Sequence, residues 1–252
     1  MDRRDFLTAG KAIKNTTAAF IPTARTYSGI NPYTGPWTSN EVIHLLKRTM
    51  FGAKKSDVDY FVNLTVSQTV NELLNPVAAN PLPPVKEYAT SANATTPDTN
   101  IAQGTTWIND INNDGTVQSQ RRASYKKWWT GAMINQDRSI REKMTFLWID
   151  HFGNEANEVG NANWVYKQHT TIRQNCLGNF KQMVRDMTVD ICMLRYLNGY
   201  LNTASAPDEN YARELQELFC IGKSPQAQFT EEDVQEAARL LTGWTITDYN
   251  II

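Results

Sequence analysis

The chain has 252 residues, of which 25 are Lys or Arg and 26 are Asp or Glu, so that its formal net charge is −1 at pH 7. Such a chain lacks the positive field that attracts nucleic-acid phosphates or anionic lipid, and we exclude binding to either as its main function. No apolar run approaches the roughly 18 to 20 residues of a membrane-spanning helix, so the sequence predicts no transmembrane segment.

The first residues look like an export signal. Residues 2–7 read Asp-Arg-Arg-Asp-Phe-Leu, and adjacent arginines followed by this apolar pair are typical of twin-arginine signals. Lys11, Lys14 and Asn15 interrupt the apolar region that should follow, and no clean cleavage site precedes Ala24. We predict a twin-arginine-like signal over residues 1–24, cleaved or uncleaved, that directs the protein to the periplasm or cell surface. The alternative is the basic helical N-terminus of a cytoplasmic protein.

Helix-start motifs recur and predict a mainly α-helical fold. Thr38 and Glu41 have the spacing of a capping box, and apolar residues follow at helical spacing as far as Gly52, which we expect to end the helix in a left-handed conformation. The same box begins at Thr65, Ser139 and Thr230, and Gly153 and Gly243 are expected to end helices. The predicted helices cover 39–51, 66–75, 118–136, 140–152, 161–176, 179–187, 189–197, 208–221 and 231–242.

One segment departs from this helical pattern. Residues 76–117 contain five of the ten prolines and many Asn and Thr, and they have too few apolar side chains to form a core of their own. We therefore predict an irregular multi-helix bundle over residues 38–252, with a long polar surface loop inserted at 76–117. Only residues 244–249 alternate like a strand, and we expect the domain to be truncated at its C-terminus just after them.

His151 is the first candidate for chemistry, because it falls in the last turn of the predicted helix 140–152. The negative end of the helix dipole favours its protonation, so that it could act as an acid or a metal ligand. Glu155 and Glu158 follow closely enough to share a cation, although no standard zinc or iron spacing is present. The alternative is a structural histidine between aromatic residues. For His169, on the predicted helix 161–176, we expect a solvated or packing role.

Polar residues crowd one face of the predicted helix 208–221. Asn210, Arg213, Glu214 and Glu217 lie beside an apolar stripe. They could form an exposed network in which Arg213 pairs with Glu209 or Glu217 at four-residue spacing. If the face is buried instead, the same residues are candidates for a site. The residues alone leave both interpretations open.

At these positions the chain resembles a bacterial family known as domain of unknown function 1800. Residues 208–218 match its block Asn-Glu-Asn-(Tyr/Phe)-Ala-Arg-Glu-Leu-x-Glu-Leu, with Asp208 in place of the first Asn. Residues 229–234 match Tyr-Thr-x-x-Asp-Val, with Phe229 in place of Tyr, and residues 238–244 match Ala-Arg-x-Leu-Thr-Gly-Trp. Residues 45–52 and the Trp-x-x-His-Phe element at 148–152 also fit, so that the resemblance spans about residues 38–244.

The resemblance implies an exported bacterial protein without a settled activity. Family members often have twin-arginine-like leaders, and their genes often neighbour those of a second exported family, domain of unknown function 1501, which we predict as a partner. Family chains usually continue past the Thr-Gly-Trp block, so we expect any site that needs that C-terminal half to be incomplete here. The motif positions that match are His151, Asn210, Arg213, Glu214, Glu217, Arg239 and Trp244.

We predict an envelope or surface protein with a binding or assembly role, whose partner is a protein or a glycan. The alternative is a hydrolase, either metal-dependent or metal-free, in which His151 acts with Glu214 or Glu217. The sequence identifies no cofactor or metal. The predicted binding residues are Asn210, Arg213, Arg239 and Trp244, and the aromatic residues expected to be available to a partner are Trp107, Trp128 and Trp129.

The export hypothesis predicts the effect of a conservative change. Replacing Arg3 and Arg4 by Lys should trap the protein in the cytoplasm, because the export receptor reads the arginine pair as an address. Fractionation of cells that express either form measures this. An unchanged distribution between cytoplasm and periplasm would contradict the hypothesis.

Overall fold

A computed structural model describes residues 31–75, 80–88, 98–223, 229–247 and 250–251. The chain divides into two units, Met1–Gly35 and Pro36–Ile252, and every helix and strand described below belongs to the second unit. The predicted export signal, residues 1–24, lies outside the described residues.

Helices make up most of the second unit, which confirms the mainly α class. In chain order they are α1 (Ser39–Thr49), α2 (Lys55–Phe61), α3 (Val66–Leu74), α4 (Gly115–Ile134), α5 (Arg141–His151), α6 (Ala156–Val159), α7 (Ala162–Asn175), α8 (Phe180–Thr188), α9 (Ile191–Tyr196), α10 (Glu209–Glu214) and α11 (Glu231–Leu240). A 3-10 turn follows α9 at Gly199–Leu201, and a π-helix, Leu215–Cys220, continues α10. The strands β1 (Ile246–Thr247) and β2 (Asn250–Ile251) form an antiparallel pair. No helix in the described ranges is both long and apolar enough to cross a bilayer.

Three of the four predicted capping boxes are confirmed, at Thr38, Thr65 and Thr230. The fourth, at Ser139, is wrong, because α5 begins after Ile140 without a side-chain cap. Glu142, which the prediction used to complete that box, instead forms an ion pair with Arg173 at 2.7 Å, and both side chains are buried. A buried carboxylate needs a charged partner more than a helix end needs a second cap, so the ion pair decides where Glu142 points.

The glycines predicted to end helices behave differently from one another. Gly243 has a φ of 89°, the left-handed conformation expected after α11. Gly52 and Gly153 do not have positive φ angles, so the left-handed C-cap predicted for Gly52 is wrong. Helix α1 ends earlier than predicted, at Thr49, because the backbone of the next residue, Met50, is already extended. Two helices, α2 and α6, were not predicted, since both are too short for their apolar spacing to be recognised.

Apolar side chains form separate clusters between the helices. One lies among α1, α2 and α3 and is made of Val42, Leu46, Met50, Val58, Phe61 and Leu73. Another joins α7, α8, α9 and the π-helix around Ile172, Met183, Met187, Met193 and Phe219. A further cluster joins α9, α10 and α11 around Leu194, Tyr211, Val234 and Ala238. The helices that carry the candidate site are held in place by this burial.

The segment predicted as a polar surface loop, 76–117, is irregular in its described parts, but it is not confined to the surface. An isolated antiparallel bridge joins Val85 to Thr106, and α4 already begins at Gly115. Trp107 is completely buried, although it was expected to be available to a partner. Its indole donates to Ser124 Oγ of α4 at 3.2 Å, so the segment packs on the helix that follows it.

A buried arginine fixes this segment to α4. Arg121 has no exposed surface, and it donates from Nε and Nη2 to the two carboxylate oxygens of Asp98, each at 3.0 Å. It also donates to the backbone carbonyl of Asp110 at 2.8 Å and pairs with the Asp110 carboxylate. Burial alone would raise the pKa of Asp98, but hydrogen bonds from Arg121 and Tyr88 hold it below its usual value.

Removing this arginine tests the anchor. We expect Arg121→Met to lower the free energy of unfolding by about 3 to 5 kcal/mol, because it leaves the Asp98 carboxylate buried without its ion partner. Adding Asp98→Asn should restore part of the loss, since the stranded charge is then removed. Urea unfolding followed by circular dichroism measures both, and Asp98→Asn alone should also destabilise the protein.

A surface ion pair provides the control. Lys55 and Asp59 form an i,i+4 pair with side chains that are 86% and 59% exposed. We expect Lys55→Met to cost less than about 0.5 kcal/mol, because water screens such pairs. Equal losses for Lys55→Met and Arg121→Met would show that the buried cluster is not the anchor.

Candidate functional site

His151, the predicted catalytic residue, is the last residue of α5 and lies among aromatic rings. The ring centroids of Trp148, Phe152, Phe180 and Phe219 lie 5.5, 4.8, 6.0 and 6.2 Å from that of the imidazole. Its Nε2 lies 3.0 Å from the backbone carbonyl oxygen of Phe219. Because a carbonyl oxygen only accepts, Nε2 donates, and it satisfies one of the carbonyls that are left unpaired where a helix ends.

Of the two glutamates predicted to assist His151, Glu214 is the last residue of α10, and Glu217 lies within the π-helix, two residues before Phe219. Glu214 is half-buried and forms no hydrogen bond or ion pair with the described residues. Glu217 pairs with Lys223 at 2.9 Å and with Arg213 at 3.8 Å. The π-helix is visible in the hydrogen bond from Ile221 N to the carbonyl five residues before it. Such π-helical segments are frequent at functional sites. Here the contact between His151 and this segment is made by Nε2 of the imidazole with a backbone carbonyl, that of Phe219.

Arg213 is held by carboxylates of two helices. It lies 3.0 Å from Glu209 of its own helix, and its two terminal nitrogens donate to both oxygens of Glu231 on α11, at 2.9 and 2.6 Å. The Glu231 side chain is 72% exposed and that of Glu209 is 40% exposed. Of the two interpretations of this polar face, the structure shows the surface ion-pair network, which joins α10 to α11.

The remaining predicted binding residues lie apart from one another. Asn210 is exposed and donates to the carbonyl of Leu197 at 3.3 Å. Arg239 pairs with Glu236 of its own helix, and Trp244 is half-buried against the apolar cluster of α9, α10 and α11.

The structure therefore brings Arg213 and Glu217 together but does not join them to His151. Among the described residues no hydrogen bond or ion pair connects His151 to Glu214 or Glu217. Glu155 and Glu158, which were considered as ligands with His151, are both exposed. No group of three His, Cys, Asp or Glu side chains in the described ranges is arranged to hold a metal ion.

A more enclosed site lies between α4, α5, α6 and α7, and among its lining residues the sequence had indicated Glu155 as a candidate cation ligand and Trp129 as available to a partner. It is a cavity of about 330 Å³, which falls at the lower end of the sizes typical of ligand pockets. Six of its lining residues have aromatic or amide side chains, namely Tyr125, Trp129, His169, Asn154, Asn157 and Gln168. The lining residues are Tyr125, Lys126, Trp129, Ile149, Asn154, Glu155, Ala156, Asn157, Val165, Gln168 and His169.

His169 lies at the buried wall of this cavity and is only 1% exposed. Its Nδ1 lies 3.0 Å from the hydroxyl oxygen of Tyr125 on α4. The rings of Trp128 and Trp129 approach its imidazole edge-on, with centroids at 5.0 and 5.2 Å. The packing role expected for His169 is confirmed and the solvated one is wrong, because α4 covers the ring completely.

Three nitrogen atoms of the lining residues have no hydrogen-bond partner among the described residues. They are His169 Nε2, Gln168 Nε2 and Trp129 Nε1, and each is shielded from solvent. Gln168 is 3% exposed, and its carbonyl oxygen already accepts from the side-chain amide of Asn154. Unpaired buried polar groups cost roughly 1 to 3 kcal/mol each, so three beside one cavity require an explanation.

Burial makes the polar groups of this cavity neutral. It lowers the pKa of His169 to about 3, and the charge of Arg173 acts in the same direction. Burial also raises the pKa of the Tyr125 phenol above its usual value. At neutral pH the pair is therefore an uncharged imidazole and an uncharged phenol, which can bind a ligand through hydrogen bonds but cannot neutralise an ion.

The signal that could have identified this site is a polar residue within an apolar stripe. On α7 the buried positions include Ala162, Val165, His169 and Ile172, which follow helical spacing, and His169 is the polar member of the series. Arg121 interrupts the stripe of α4 in the same way, between Val117 and Tyr125. A polar side chain at such a position needs a buried partner, which the sequence cannot name.

A larger cavity, of about 630 Å³, lies on the other side of Trp128 and is lined in part by residues 81–85. Its buried charges, Arg173 and Glu142, already neutralise each other. Two oxygens on its lining residues, Gln136 Oε1 and one of Glu142, lack a hydrogen bond within the described chain. Glu142 also borders a separate space of about 10 Å³, enough for a single water molecule.

Comparison with known proteins identifies one family. The family model described as protein of unknown function (DUF1800) matches residues 44–250. No curated protein and no solved structure is significantly similar to the chain.

The neutral state of His169 predicts a pH dependence of stability. The folded protein binds fewer protons at this ring than the unfolded chain does between its folded pKa of about 3 and the ordinary 6.5. Its contribution to stability is therefore complete above pH 6.5 and is lost as the pH falls. Between pH 7 and 4.5 we expect wild type to lose about 2 kcal/mol more than His169→Gln, measured by urea unfolding.

An exposed histidine supplies the matched control. His44 lies on α1 with its ring in solvent, so His44→Gln should leave the pH dependence of wild type unchanged. Asp190, whose pKa burial raises to about 7, has the opposite effect in the same range, but it is present in all three proteins and cancels in the comparison. Equal pH dependence in His169→Gln and wild type would show that His169 is not held neutral by the fold.

Proposed function

The chain belongs to the family described as protein of unknown function (DUF1800), and we propose that it is an exported binding protein that holds a small polar ligand in the cavity beside His169. The observation that carries this proposal is the cavity of about 330 Å³ itself, whose lining combines aromatic, amide and apolar side chains, among them Gln168 and His169. Both are at least 97% buried, with 3% and 1% exposed, and both have a nitrogen without a partner in the described chain. These two nitrogens have less than 1 Å² of accessible surface each, so they lie behind the surface that a ligand would contact.

The surroundings of these two residues favour a preformed site. Tyr125 fixes the imidazole through one hydrogen bond, and Asn154 fixes the amide of Gln168 through another. Helices α4 and α7, which supply most of the wall, pack directly on each other. Rigid side chains lose little entropy when a ligand binds, so that more of the interaction energy becomes affinity.

Export and the type of partner belong to the same proposal. The arginine pair at positions 3 and 4 supports export to the periplasm or cell surface. A cavity with aromatic and amide walls suits a glycan or a peptide better than an ion, in keeping with the expected glycan or protein partner. A protein of the neighbouring exported family, domain of unknown function 1501, stays a prediction from the resemblance alone.

The hydrolase remains the second proposal. Its support is Glu214, a half-buried carboxylate without a partner among the described residues. Because Nε2 of His151 donates to the carbonyl of Phe219, the atom of this ring that would accept a proton is Nδ1. Assays of the purified chain on ester, amide and glycoside substrates decide the matter, and activity that disappears in both His151→Asn and Glu214→Gln would favour this alternative.

A variant that blocks the cavity tests the binding function. Asn157 lines its rim and is exposed, so Asn157→Trp should obstruct entry without disturbing the core. In a screen of small polar fragments by ligand-observed NMR, we expect ligands that bind wild type and lose at least about tenfold in affinity, or roughly 1.4 kcal/mol, to Asn157→Trp.

The control introduces the same residue elsewhere. Asn71 is exposed on α3, outside the residues that line the cavity, and Asn71→Trp should bind the fragments like wild type. The proposal fails if no fragment binds, or if every bound fragment is affected equally by the two tryptophan variants.

A further inference from the structure

Two charged side chains line the cavity beside His169 without an ion partner in the described chain. Lys126 lies on α4 and Glu155 directly before α6, and both are exposed. Neither forms an ion pair with a described residue, although Lys127, the next residue along α4, pairs with Glu87. The side chain of Glu155 does not cap α6 either. An ammonium group and a carboxylate that solvent reaches are therefore both available to a ligand of this cavity.

The interior of the cavity is uncharged. Burial lowers the pKa of His169 to about 3 and raises the pKa of the Tyr125 phenol, so both side chains are neutral at pH 7. Ile149, Ala156 and Val165 add an apolar wall. A charge buried against such surroundings would have no partner, whereas an apolar group would be stabilised there. A matching ligand keeps its charges at the exposed rim and places an apolar part inside.

The opposite signs of the two exposed side chains restrict the charge of the ligand. A simple cation is attracted by Glu155 and repelled by Lys126, and a simple anion meets the reverse. A neutral ligand can form hydrogen bonds with both but gains no ion pair from either. A ligand that has one ammonium group and one carboxylate can form a charge-assisted hydrogen bond with each of the two side chains.

The volume of the cavity limits the ligand to few atoms. Pockets for drug-sized molecules measure roughly 300 to 1,000 Å³. At about 330 Å³ this cavity lies at the lower end of that range. An ammonium group, a carboxylate and an apolar group that are joined by a short backbone are the parts of an amino acid or a very short peptide.

We propose that the cavity recognises a zwitterion with an apolar side chain, a free amino acid or a short peptide, whose carboxylate pairs with Lys126 and whose ammonium group pairs with Glu155. This inference rests on the binding function proposed above and assigns its ligand class. In a free amino acid both charges belong to one residue, whereas in a peptide the backbone separates them, so the length of the preferred ligand distinguishes the two sources.

Probes that differ in charge and length test the ligand class. The full chain is titrated with leucine, glycylleucine, leucinamide, N-acetylleucine and glycine at about pH 6.5, where α-amino groups are protonated, and binding is measured by ligand-observed NMR. We expect leucine or glycylleucine to bind about threefold more tightly than leucinamide and N-acetylleucine, which each lack one ion pair. Glycine, which lacks the apolar side chain, should bind about tenfold more weakly. Preference for leucine identifies an amino acid, and preference for glycylleucine identifies a peptide.

Neutral variants connect the binding to the two charges. Lys126→Gln and Glu155→Gln should each weaken the preferred zwitterion about threefold, since each removes one exposed ion pair. Lys126→Gln should not weaken leucinamide, and Glu155→Gln should not weaken N-acetylleucine, because the matching charge is absent from those probes. Lys127→Gln and Glu158→Gln, at exposed positions outside the lining, are the matched controls and should leave every affinity unchanged. Circular dichroism verifies that all four surface variants are folded.

The outcomes separate this inference from the function on which it rests. Binding of leucinamide or N-acetylleucine that equals that of both zwitterions overturns the inference. So does zwitterion binding that only one of Lys126→Gln and Glu155→Gln weakens, or neither. If no probe binds, although fragments distinguish Asn157→Trp from Asn71→Trp, the ligand class is wrong and the binding function stands. If fragments also fail to bind, both are wrong.

Discussion

The buried guanidinium of Arg121 is the interaction on which the arrangement of the candidate site depends. A charge without exposed surface must have partners, and Asp98 and Asp110 supply them from an irregular segment of the chain. Their positions hold that segment on α4 and bury Trp107 against the helix. Asn163 of α7 then donates to the carbonyl of Trp107 at 3.0 Å, so that α7 is tied to the same segment. The two helices that face the cavity are therefore fixed from behind by polar contacts.

The two sides of this helix pair differ in charge. Behind the cavity, the contacts are ionic and satisfied, as in the pair of Arg121 and Asp98. At the cavity, the buried groups are neutral and only partly satisfied, as in the contact between Tyr125 and His169. An ion pair stabilises a fixed arrangement but leaves little for a ligand to bind.

The motif residues at 208–218 and 238–244 do not line the cavity. Arg213 and Glu231 connect α10 to α11, and His151 caps a carbonyl at the end of the π-helix. In this chain, these contacts hold the last helices together. The cavity lies instead between α4 and α7, on the earlier part of the domain.

Local chemistry determined much of the fold from the sequence alone. Capping boxes at Thr38, Thr65 and Thr230 and the apolar spacing behind them predicted where most helices begin, because both signals depend on residues within one or two turns. The family resemblance likewise rested on contiguous blocks. The same local rules failed at Ser139, where the partner of Glu142 is Arg173, 31 positions away from it.

The candidate site could not be predicted, because each of its decisive contacts joins distant positions. Tyr125 and His169 are separated by 44 residues, and Arg121 and Asp98 by 23. The sequence shows that His169 and Arg121 are polar residues on apolar stripes, and hence that they need buried partners. It does not show which partners they have, since loop closure and helix packing choose among many candidates of similar chemistry. The sequence by itself determined most of the helices and the family, and only the tertiary structure decided which polar groups are buried, neutral and without a partner among the described residues.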